Sequence, residues 1–235
     1  MGKQRLDVRI QQIYPHYSRR YIQSLIMQGK VLVDERPVTK PGTVIRDDQA
    51  LRVKAIDDVF VCRSGWKLSQ ALEAFDVTVK NKIVLDAGIS TGGFTDCLLQ
   101  AGACKVYGVD VGYGHVHERI RQDPRVTVLE RTNLRYLTHL DDPIDMVTLD
   151  LSFISVLKVM HAVTRLLIPG GELIVLIKPQ FEAGRHEVPK GGIIRQEAMQ
   201  RRIVDQVISG IQAFGFSVHG RIAAETRGAK GNQEY

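Results

Sequence analysis

Charged side chains follow apolar, strand-like segments at several points of the sequence, and their types suit proton transfer. Asp150 and Lys178 each end such a segment, while Lys67 and Glu234 lie in the glycine-containing segments RSGWK and GNQEY. A lysine that follows a run of apolar residues is partly withdrawn from water, which lowers its pKa and enables it to take a proton from a hydroxyl. A nearby carboxylate would hold the amine in place. The alternative is a set of solvent-facing ion pairs, which stabilise a fold little.

A glycine-rich turn, DAGISTGG, occupies residues 86–93 between an apolar segment and a predicted helix. In an open α/β sheet, ligands bind at such a turn, and glycine lets the backbone approach them closely. Asp110 ends the next strand, 24 residues beyond Asp86, where an acid can hold both hydroxyls of a nucleoside ribose. This combination favours a site for S-adenosylmethionine. The predicted cofactor contacts in the turn are Asp86, Gly88, Ser90, Thr91, Gly92 and Gly93.

Other interpretations of the turn remain open. It lacks the Gly-Lys-Ser/Thr ending of a phosphate-binding loop and the GxGxxG spacing of a dinucleotide site. Gly88–Gly92 matches the GxSxG pattern of hydrolases, with Ser90, Asp150 and His219 as the relay, although hydrolases carry that turn after a later strand. A turn that serves only to reverse the chain is the structural alternative. If the donor is a sulfonium, the lysines would deprotonate the acceptor, for example a ribose hydroxyl.

The elements that would position these residues alternate between strand and helix. Predicted strands cover Lys82–Ala87, Lys105–Asp110, Val126–Glu130, Asp145–Leu151, Glu172–Lys178 and Phe216–Ala223. Predicted helices cover Leu68–Phe75, Phe94–Ala101, Val156–Leu167 and Gln196–Phe214. This alternation predicts an α/β fold with a doubly wound, mostly parallel sheet of the Rossmann-like methyltransferase type. Residues 179–194 carry several glycines and prolines, which indicates a long binding loop.

The first 59 residues form a separate, basic segment with its own pattern. They hold 11 Lys/Arg against 7 Asp/Glu, which is +4 of the net charge of +6. Apolar spacing predicts one helix from Leu6 that Pro15 ends and a second that starts after Ser18 and ends near Gly29. Short strands are predicted at 31–33, 43–45 and 51–54. We therefore expect a small α+β domain at 1–59, a linker at 60–66 and the sheet domain at 67–235.

Composition excludes several classes of protein. The cysteines at 62, 97 and 104 form no CxxC pair, so neither a disulfide framework nor a zinc site is expected, and His115 and His117 lack further metal ligands in the sequence. The N-terminus has no apolar signal region, and no uncharged apolar run approaches about 18 residues. These observations predict a cytoplasmic protein without a metal and without a membrane partner.

The motifs together resemble those of the TlyA family, over nearly the whole chain. Members of this family were first named haemolysins and are now viewed as rRNA 2′-O-methyltransferases. The N-terminal segments QRLDV, SRR, GKVLV and KPG resemble the RNA-binding domain named after small-subunit ribosomal protein S-four. The other matching motifs are RSGWKL (63–68), DAGISTGGFTD (86–96), VDVGYG (109–114), LERTN (129–133), DLSFIS (150–155), KPQFE (178–182) and KGG (190–192).

The resemblance implies a fold similar to FtsJ-like ribose methyltransferases, which use a Lys-Asp-Lys-Glu tetrad. By position, this tetrad falls on Lys67, Asp150, Lys178 and Glu234, with Lys178 acting on the hydroxyl. Asp110 would bind the ribose of S-adenosylmethionine, and the stretch around Asn133 would face the adenine. Relatives continue with a last strand beyond the position of Tyr235, so an unpaired sheet edge is expected here.

The implied partner is ribosomal RNA or a ribosomal subunit, with cytidine as the target of the family. Basic residues of the first domain and of the long loop could contact phosphates. The candidates are Arg19, Arg20, Lys30, Arg36, Lys40, Arg185 and Lys190. The alternatives are a solvated basic surface, a membrane-active haemolysin, and an RNA-binding protein that keeps the cofactor fold only as a scaffold.

Overall fold

The computed structural model describes residues 2–15, 17–54, 59–184, 186–228 and 230–235. The chain divides into two compact units, residues 1–63 and residues 64–235. Residues 64–66, which the sequence placed in a linker, form the first turn of the helix that opens the second unit.

The first unit packs two short helices against short antiparallel strands. Its elements are β1 (Lys3–Arg5), α1 (Leu6–Ile13), α2 (Arg19–Met27), β2 (Val31–Val33), β3 (Arg36–Pro37), β4 (Val44–Arg46) and β5 (Leu51–Val53). β2 pairs with β3 and β5, and β1 pairs with β4. Both predicted helices are confirmed, and the Ser18 hydroxyl caps α2 by accepting a hydrogen bond from the Tyr21 amide at 3.2 Å. Apolar residues of α1 and α2 form the core of the unit.

Asp7 is the buried charge that ties the two helices of this unit together. Its side chain has no exposed surface and accepts hydrogen bonds from Arg5, Arg19 and Gln23. The Arg5 guanidinium, with help from Gln23 and Arg19, holds the pKa of Asp7 well below its ordinary value. Because one donor from β1 and two from α2 meet at one carboxylate of α1, Asp7 fixes how α2 lies against α1.

The second unit is a parallel sheet with helices. Its elements are α3 (Ser64–Ala74), β6 (Ile83–Ala87), α4 (Gly93–Gln100), β7 (Lys105–Val109), α5 (Glu118–Arg121), β8 (Val126–Leu129), β9 (Ile144–Leu149), α6 (Met160–Leu166), β10 (Leu167–Val175), α7 (Pro179–Glu182) and α8 (Glu197–Gln212). The strand order is β10-β9-β6-β7-β8, and the described pairs are parallel. The predicted α/β fold class is confirmed.

The chain order explains where a ligand can bind. From β6 the chain moves outward through β7 to β8, then crosses back to β9 on the other side of β6. The connections after β6 and β9 therefore leave in opposite directions and open a crevice at their carboxyl ends, which is where open α/β sheets bind ligands. Ala87 is in register with Leu149, so the glycine turn and Asp150 begin side by side at this crevice.

The predicted strand at Phe216–Ala223 is wrong. β10 is the terminal strand of the sheet, and a groove of about 1030 Å³ separates it from the segment that contains Phe216 and Ile222. A strand needs a neighbour for its backbone N–H and C=O groups, and the groove removes that neighbour. The strand prediction used only the apolar pattern of the segment. In the structure most of the segment is exposed, and Phe216 packs against the core of the unit.

Within the described part of the chain, no helix has the length and hydropathy required to cross a bilayer.

We predict that Asp7→Asn destabilises the protein by about 2 kcal/mol, because the variant has weaker hydrogen bonds to the arginines and leaves a buried polar group with fewer partners. Chemical denaturation of the full chain, followed by circular dichroism, measures the effect. Asp48→Asn is the matched control, since its pair with Arg46 is about half exposed and should change stability by less than about 1 kcal/mol. Equal destabilisation of the two variants would contradict the anchoring role of Asp7.

Candidate functional site

The glycine turn lies against the backbone that follows β9. Gly88 has φ +88°, and a Cβ at this position would lie 2.5 Å from the Asp150 carbonyl oxygen, so only glycine fits. Gly92 has φ +100° and immediately precedes α4, which begins at Gly93. A Cβ added to Gly92 would lie 3.0 Å from the Ile120 side chain. The turn is therefore shaped by close approach to its neighbours as well as by chain reversal.

Asp110 holds the exposed part of this turn. One carboxylate oxygen accepts a hydrogen bond from the Ser90 amide at 2.8 Å, and the other accepts one from the Gly112 amide at 2.7 Å. Ser90 itself has φ +49° and is exposed, and Thr91 beside it is half-buried. Asp110 thus stands next to the glycine turn with its carboxylate fixed by backbone amides, in a position suited to a ribose.

Asn133 lies at the end of the neighbouring strand. Its side-chain oxygen accepts a hydrogen bond from the Arg135 amide at 3.1 Å and caps a short 3-10 helix, Leu134–Tyr136. The Thr132 amide donates to the Asp110 carbonyl at 2.8 Å, so the segment of Asn133 is joined to that of Asp110. The candidate cofactor residues after β6, β7 and β8 thus lie along one edge of the sheet.

Asp86 has a different placement from the other candidates. Its side chain is fully buried, and its oxygens accept hydrogen bonds from the hydroxyls of Thr95 at 2.6 Å and Thr148 at 2.9 Å. Burial raises the pKa of Asp86 to about 6. The carboxylate therefore faces the interior and braces β6 against α4 and β9, and it does not face the crevice directly.

The four candidate catalytic side chains form two buried ion pairs. Lys178 Nζ lies 2.6 Å from Asp150 Oδ1, with side-chain exposures of 10% and 16%. Lys67 Nζ donates to Glu234 Oε2 at 2.5 Å, with side-chain exposures of 11% and 4%. Exposures this low rule out the alternative of solvent-facing pairs. Buried charges persist only where each has a partner, so each lysine depends on its acid.

The backbone brings the two pairs to the same place. Ile177 and Tyr235 exchange reciprocal N–H···O hydrogen bonds of 2.7 and 3.0 Å, which is the pattern of an antiparallel pair. Lys178 follows Ile177 and Glu234 precedes Tyr235, so Lys178 and Glu234 lie opposite each other in this antiparallel pair. The Ala224 amide also donates to the Glu234 carbonyl at 2.8 Å. The structure thus unites residues that are far apart in sequence.

The segment after Asp150 contributes a hydroxyl, that of Ser152, which the sequence interpretation did not include in the site. Lys178 Nζ donates a hydrogen bond to Ser152 Oγ at 2.9 Å. Phe153 has φ +65°, is 90% exposed, and its ring centroid lies 5.0 Å from that of Phe181. The position of Ser152, two residues after the acid that follows β9, was its one signal in the sequence, because no periodic pattern marks it.

The half-buried carboxylate of Glu182 fixes the far end of this segment. Glu182 accepts a hydrogen bond from the Val156 amide at 2.9 Å, and burial raises the pKa of Glu182. The segment from 150 to 156 is consequently attached at both ends to the stretch that carries Lys178.

The long loop is held beside the same edge. Asn232 accepts a hydrogen bond from the Ile194 amide at 3.0 Å and donates one to the Gly192 carbonyl at 2.8 Å. Lys190, a candidate RNA contact on this loop, is exposed, whereas the candidate Arg185 lies outside the described residues.

The candidate RNA contacts of the first unit differ in whether a carboxylate of the same unit already binds them. Arg20, Lys30, Arg36 and Lys40 are exposed. Arg19 is bound to Asp7, and its guanidinium is engaged in holding the helices together. A phosphate contact by Arg19 would have to share that guanidinium with Asp7.

Neither the hydrolase interpretation nor a metal site receives geometric support. Asp150 is paired with Lys178, and His219 lines the groove beside β10. Among the described residues, no hydrogen bond joins Ser90, Asp150 and His219, and no group of His, Cys, Asp and Glu has the arrangement to hold a metal ion.

Comparison with known proteins matches both units. The family model of FtsJ-like methyltransferases matches residues 60–235, and that of the S4 domain matches residues 4–51. A Mycobacterium tuberculosis protein named 16S/23S rRNA (cytidine-2′-O)-methyltransferase TlyA is 42% identical over 93% of this chain and 82% of its own length. Hemolysin A of Brachyspira hyodysenteriae is 40% identical, over 93% of this chain and 92% of its own. A solved structure from Streptococcus thermophilus, described as a hemolysin, has a TM-score of 0.77 at 36% identity and covers 100% of this chain and 86% of that one.

We predict that the effect of Asp86→Asn on stability depends on pH. The pKa of Asp86 is raised on folding from about 4 to about 6, so the folded state binds more protons than the unfolded state in this window, and the wild type loses stability as pH rises through it. The unfolding free energy of the variant minus that of the wild type should therefore increase by roughly 2–4 kcal/mol between pH 4 and pH 7. Denaturation curves across this range measure it.

Asp141→Asn, at an exposed position, is the control and should show a constant difference across the range. A constant difference for Asp86→Asn as well would show that folding does not raise the pKa of Asp86.

Proposed function

This chain belongs to the FtsJ-like methyltransferase family and carries an S4 domain ahead of the methyltransferase domain, and on that basis we propose that it methylates a ribose 2′-hydroxyl of ribosomal RNA with S-adenosylmethionine as donor. The observation that carries this proposal is the pair of buried lysine–carboxylate contacts beside the glycine turn. The names of the curated relatives support ribosomal RNA as substrate and cytidine as the target nucleoside.

The residues of the crevice suit the donor. The close approach at Gly88, the exposed Ser90 and the fixed carboxylate of Asp110 are features that a nucleoside site requires. Asp110 would hold the ribose hydroxyls of the cofactor, and the segment at Asn133 would contact its base. When bound, S-adenosylmethionine supplies an electrophilic methyl group on a sulfonium.

Lys178 is the proposed base for the acceptor hydroxyl. Lys178, as the neutral amine, would take the proton of the 2′-hydroxyl as its oxygen bonds to the methyl carbon and the bond from that carbon to the sulfur of the leaving thioether breaks. The ammonium formed in this way would be neutralised by Asp150. Asp150 holds the amine in place, and Lys67, fixed by Glu234, stands beside it to orient the nucleotide. The exposed ring of Phe153 offers a face on which the target base can stack.

The S4 domain and the long loop would bind the rest of the RNA. Arg20, Lys30, Arg36 and Lys40 are exposed cations on the first unit, and Lys190 is exposed on the loop. Contacts of this kind act on phosphates, so they fix the register of the RNA and give salt-dependent affinity without reading bases.

We predict that Lys178→Ala lowers kcat for methyl transfer by at least about 100-fold, because general base catalysis contributes that much or more. Incorporation of labelled methyl groups from S-adenosylmethionine into ribosomal RNA and ribosomal subunits measures it. Calorimetry should show cofactor affinity within about twofold of wild type. Lys158→Ala, at an exposed lysine of the same unit, is the control and should keep full activity.

Equal incorporation by wild type and Lys178→Ala would remove Lys178 from the mechanism. Cofactor binding without transfer to any ribosomal RNA substrate would overturn the proposed function. Leakage of liposomes caused by pure protein under conditions without methyl transfer would favour the membrane-active alternative that the name Hemolysin A suggests.

RNA affinity should depend on the exposed cations of the S4 domain. The combined variant Lys30→Ala, Arg36→Ala, Lys40→Ala should weaken RNA binding and reduce the slope of log K against log salt, by about 0.7 for each phosphate of single-stranded RNA that is no longer neutralised. Fluorescence anisotropy over a salt series measures both quantities. Arg46→Ala is the control, because Arg46 is paired with Asp48. An unchanged slope in the combined variant would mean that these side chains are solvated surface.

A further inference from the structure

Ser152 makes the hydrogen bond that orients the Lys178 amine. Ser152 Oγ accepts from Lys178 Nζ at 2.9 Å, whereas Asp150 Oδ1 is in ion-pair contact at 2.6 Å without the alignment of a hydrogen bond. The carboxylate therefore supplies attraction with little directional preference, and the hydroxyl supplies the direction.

The position of Ser152 is itself fixed by the surrounding backbone. Phe153 holds an uncommon left-handed conformation next to it, and its ring contacts Phe181 three residues beyond Lys178. At the other end of the segment, Glu182 accepts a hydrogen bond from the Val156 amide. Because the segment is attached to the Lys178 stretch at both places, the backbone of Ser152 is held beside the amine.

Ser152 also lies on the side from which a substrate would arrive. Lys178 is buried at 8% exposure, while Ser152 is exposed. The hydroxyl thus meets the amine at the boundary between the protein interior and the open crevice, where an acceptor oxygen from RNA would reach it.

We propose that Ser152 is a positioning residue for the Lys178 amine, accepting one of its hydrogens so that the nitrogen faces the incoming ribose hydroxyl. This inference rests on the proposed function, since it assigns Lys178 the role of base. Without Ser152 the amine would turn toward Asp150, its nearest charged neighbour, and away from the substrate. The consequence is a slower chemical step with unchanged binding of RNA and cofactor.

The test uses two substitutions at Ser152 and a control in the same segment. Ser152→Ala should lower kcat about 10-fold with KM for RNA within about twofold, and Ser152→Thr, which keeps a hydroxyl, should restore most of the rate. The acid limb of the kcat–pH profile should move to lower pH in Ser152→Ala, because the ammonium form loses an acceptor. Ser155→Ala is the control: Ser155 caps the following 3-10 helix, so this change perturbs the segment and should leave the profile in place.

A kcat and pH profile of Ser152→Ala equal to wild type would overturn the proposal. A Ser152→Thr variant as slow as Ser152→Ala would also overturn the proposal, because a hydroxyl at this position would then not restore the rate. A readout without RNA separates this proposal from the proposed function: reductive methylation of the full-length protein, with mass spectrometry of the Lys178 peptide, should show a changed labelling rate in Ser152→Ala and not in Ser155→Ala. Unchanged labelling together with an unchanged profile rejects the role of Ser152, whereas failure of the wild type to methylate any RNA rejects the proposed function alone.

Discussion

The arrangement of the site depends on the burial of two lysines that would be unfavourable without partners. Each amine is removed from water at a cost that its carboxylate must offset, and losing either acid would leave an uncompensated charge in the interior. The acids come from distant parts of the sequence: Asp150 follows β9, and Glu234 follows the segment beyond α8. Forming the ion pairs therefore requires the sheet, the helix Ser64–Ala74 and the final segment to be in place together. The same contacts that depend on the fold also assemble the proposed site.

The sequence predicted the parts of the structure that follow from local patterns. Apolar runs ended by polar residues correctly located β6, β7, β8 and β9. The signal is clear in β6, β7 and β9 because strands buried on both faces need continuous apolar sequence. The same reasoning placed Lys178 and Asp150 at the carboxyl edge. It failed at Phe216–Ala223, since an apolar segment becomes a strand only when a neighbouring backbone is available, and no local pattern reports the groove beside β10.

The partners of individual side chains were less predictable from the sequence than the helices and strands. Asp86 belongs to the glycine motif, which indicated ligand contact, yet two threonine hydroxyls bind its carboxylate inside the protein. Arg19 contributed to the basic character of the first unit, yet Asp7 engages its guanidinium. A count of charges cannot distinguish a guanidinium bound within the protein from one that is open to phosphate. Ser152 could not be predicted for a related reason: the role of a serine in a loop depends on the amine that it contacts, and that contact is formed only in the fold.

The close approach of Gly88 to the Asp150 carbonyl has a consequence for how the two ligands communicate. The Asp150 amide donates to the Ala87 carbonyl at 3.0 Å, so the turn proposed to face the donor and the residue proposed to hold the base are joined directly. A displacement of either one on ligand entry would act on the other without an intervening element. If donor binding changes the affinity for nucleic acid through this contact, nucleic acid must change the affinity for donor by the same factor, because linkage between two sites is reciprocal. The order in which the two ligands bind would then influence rates while leaving the overall free energy of the ternary complex unchanged.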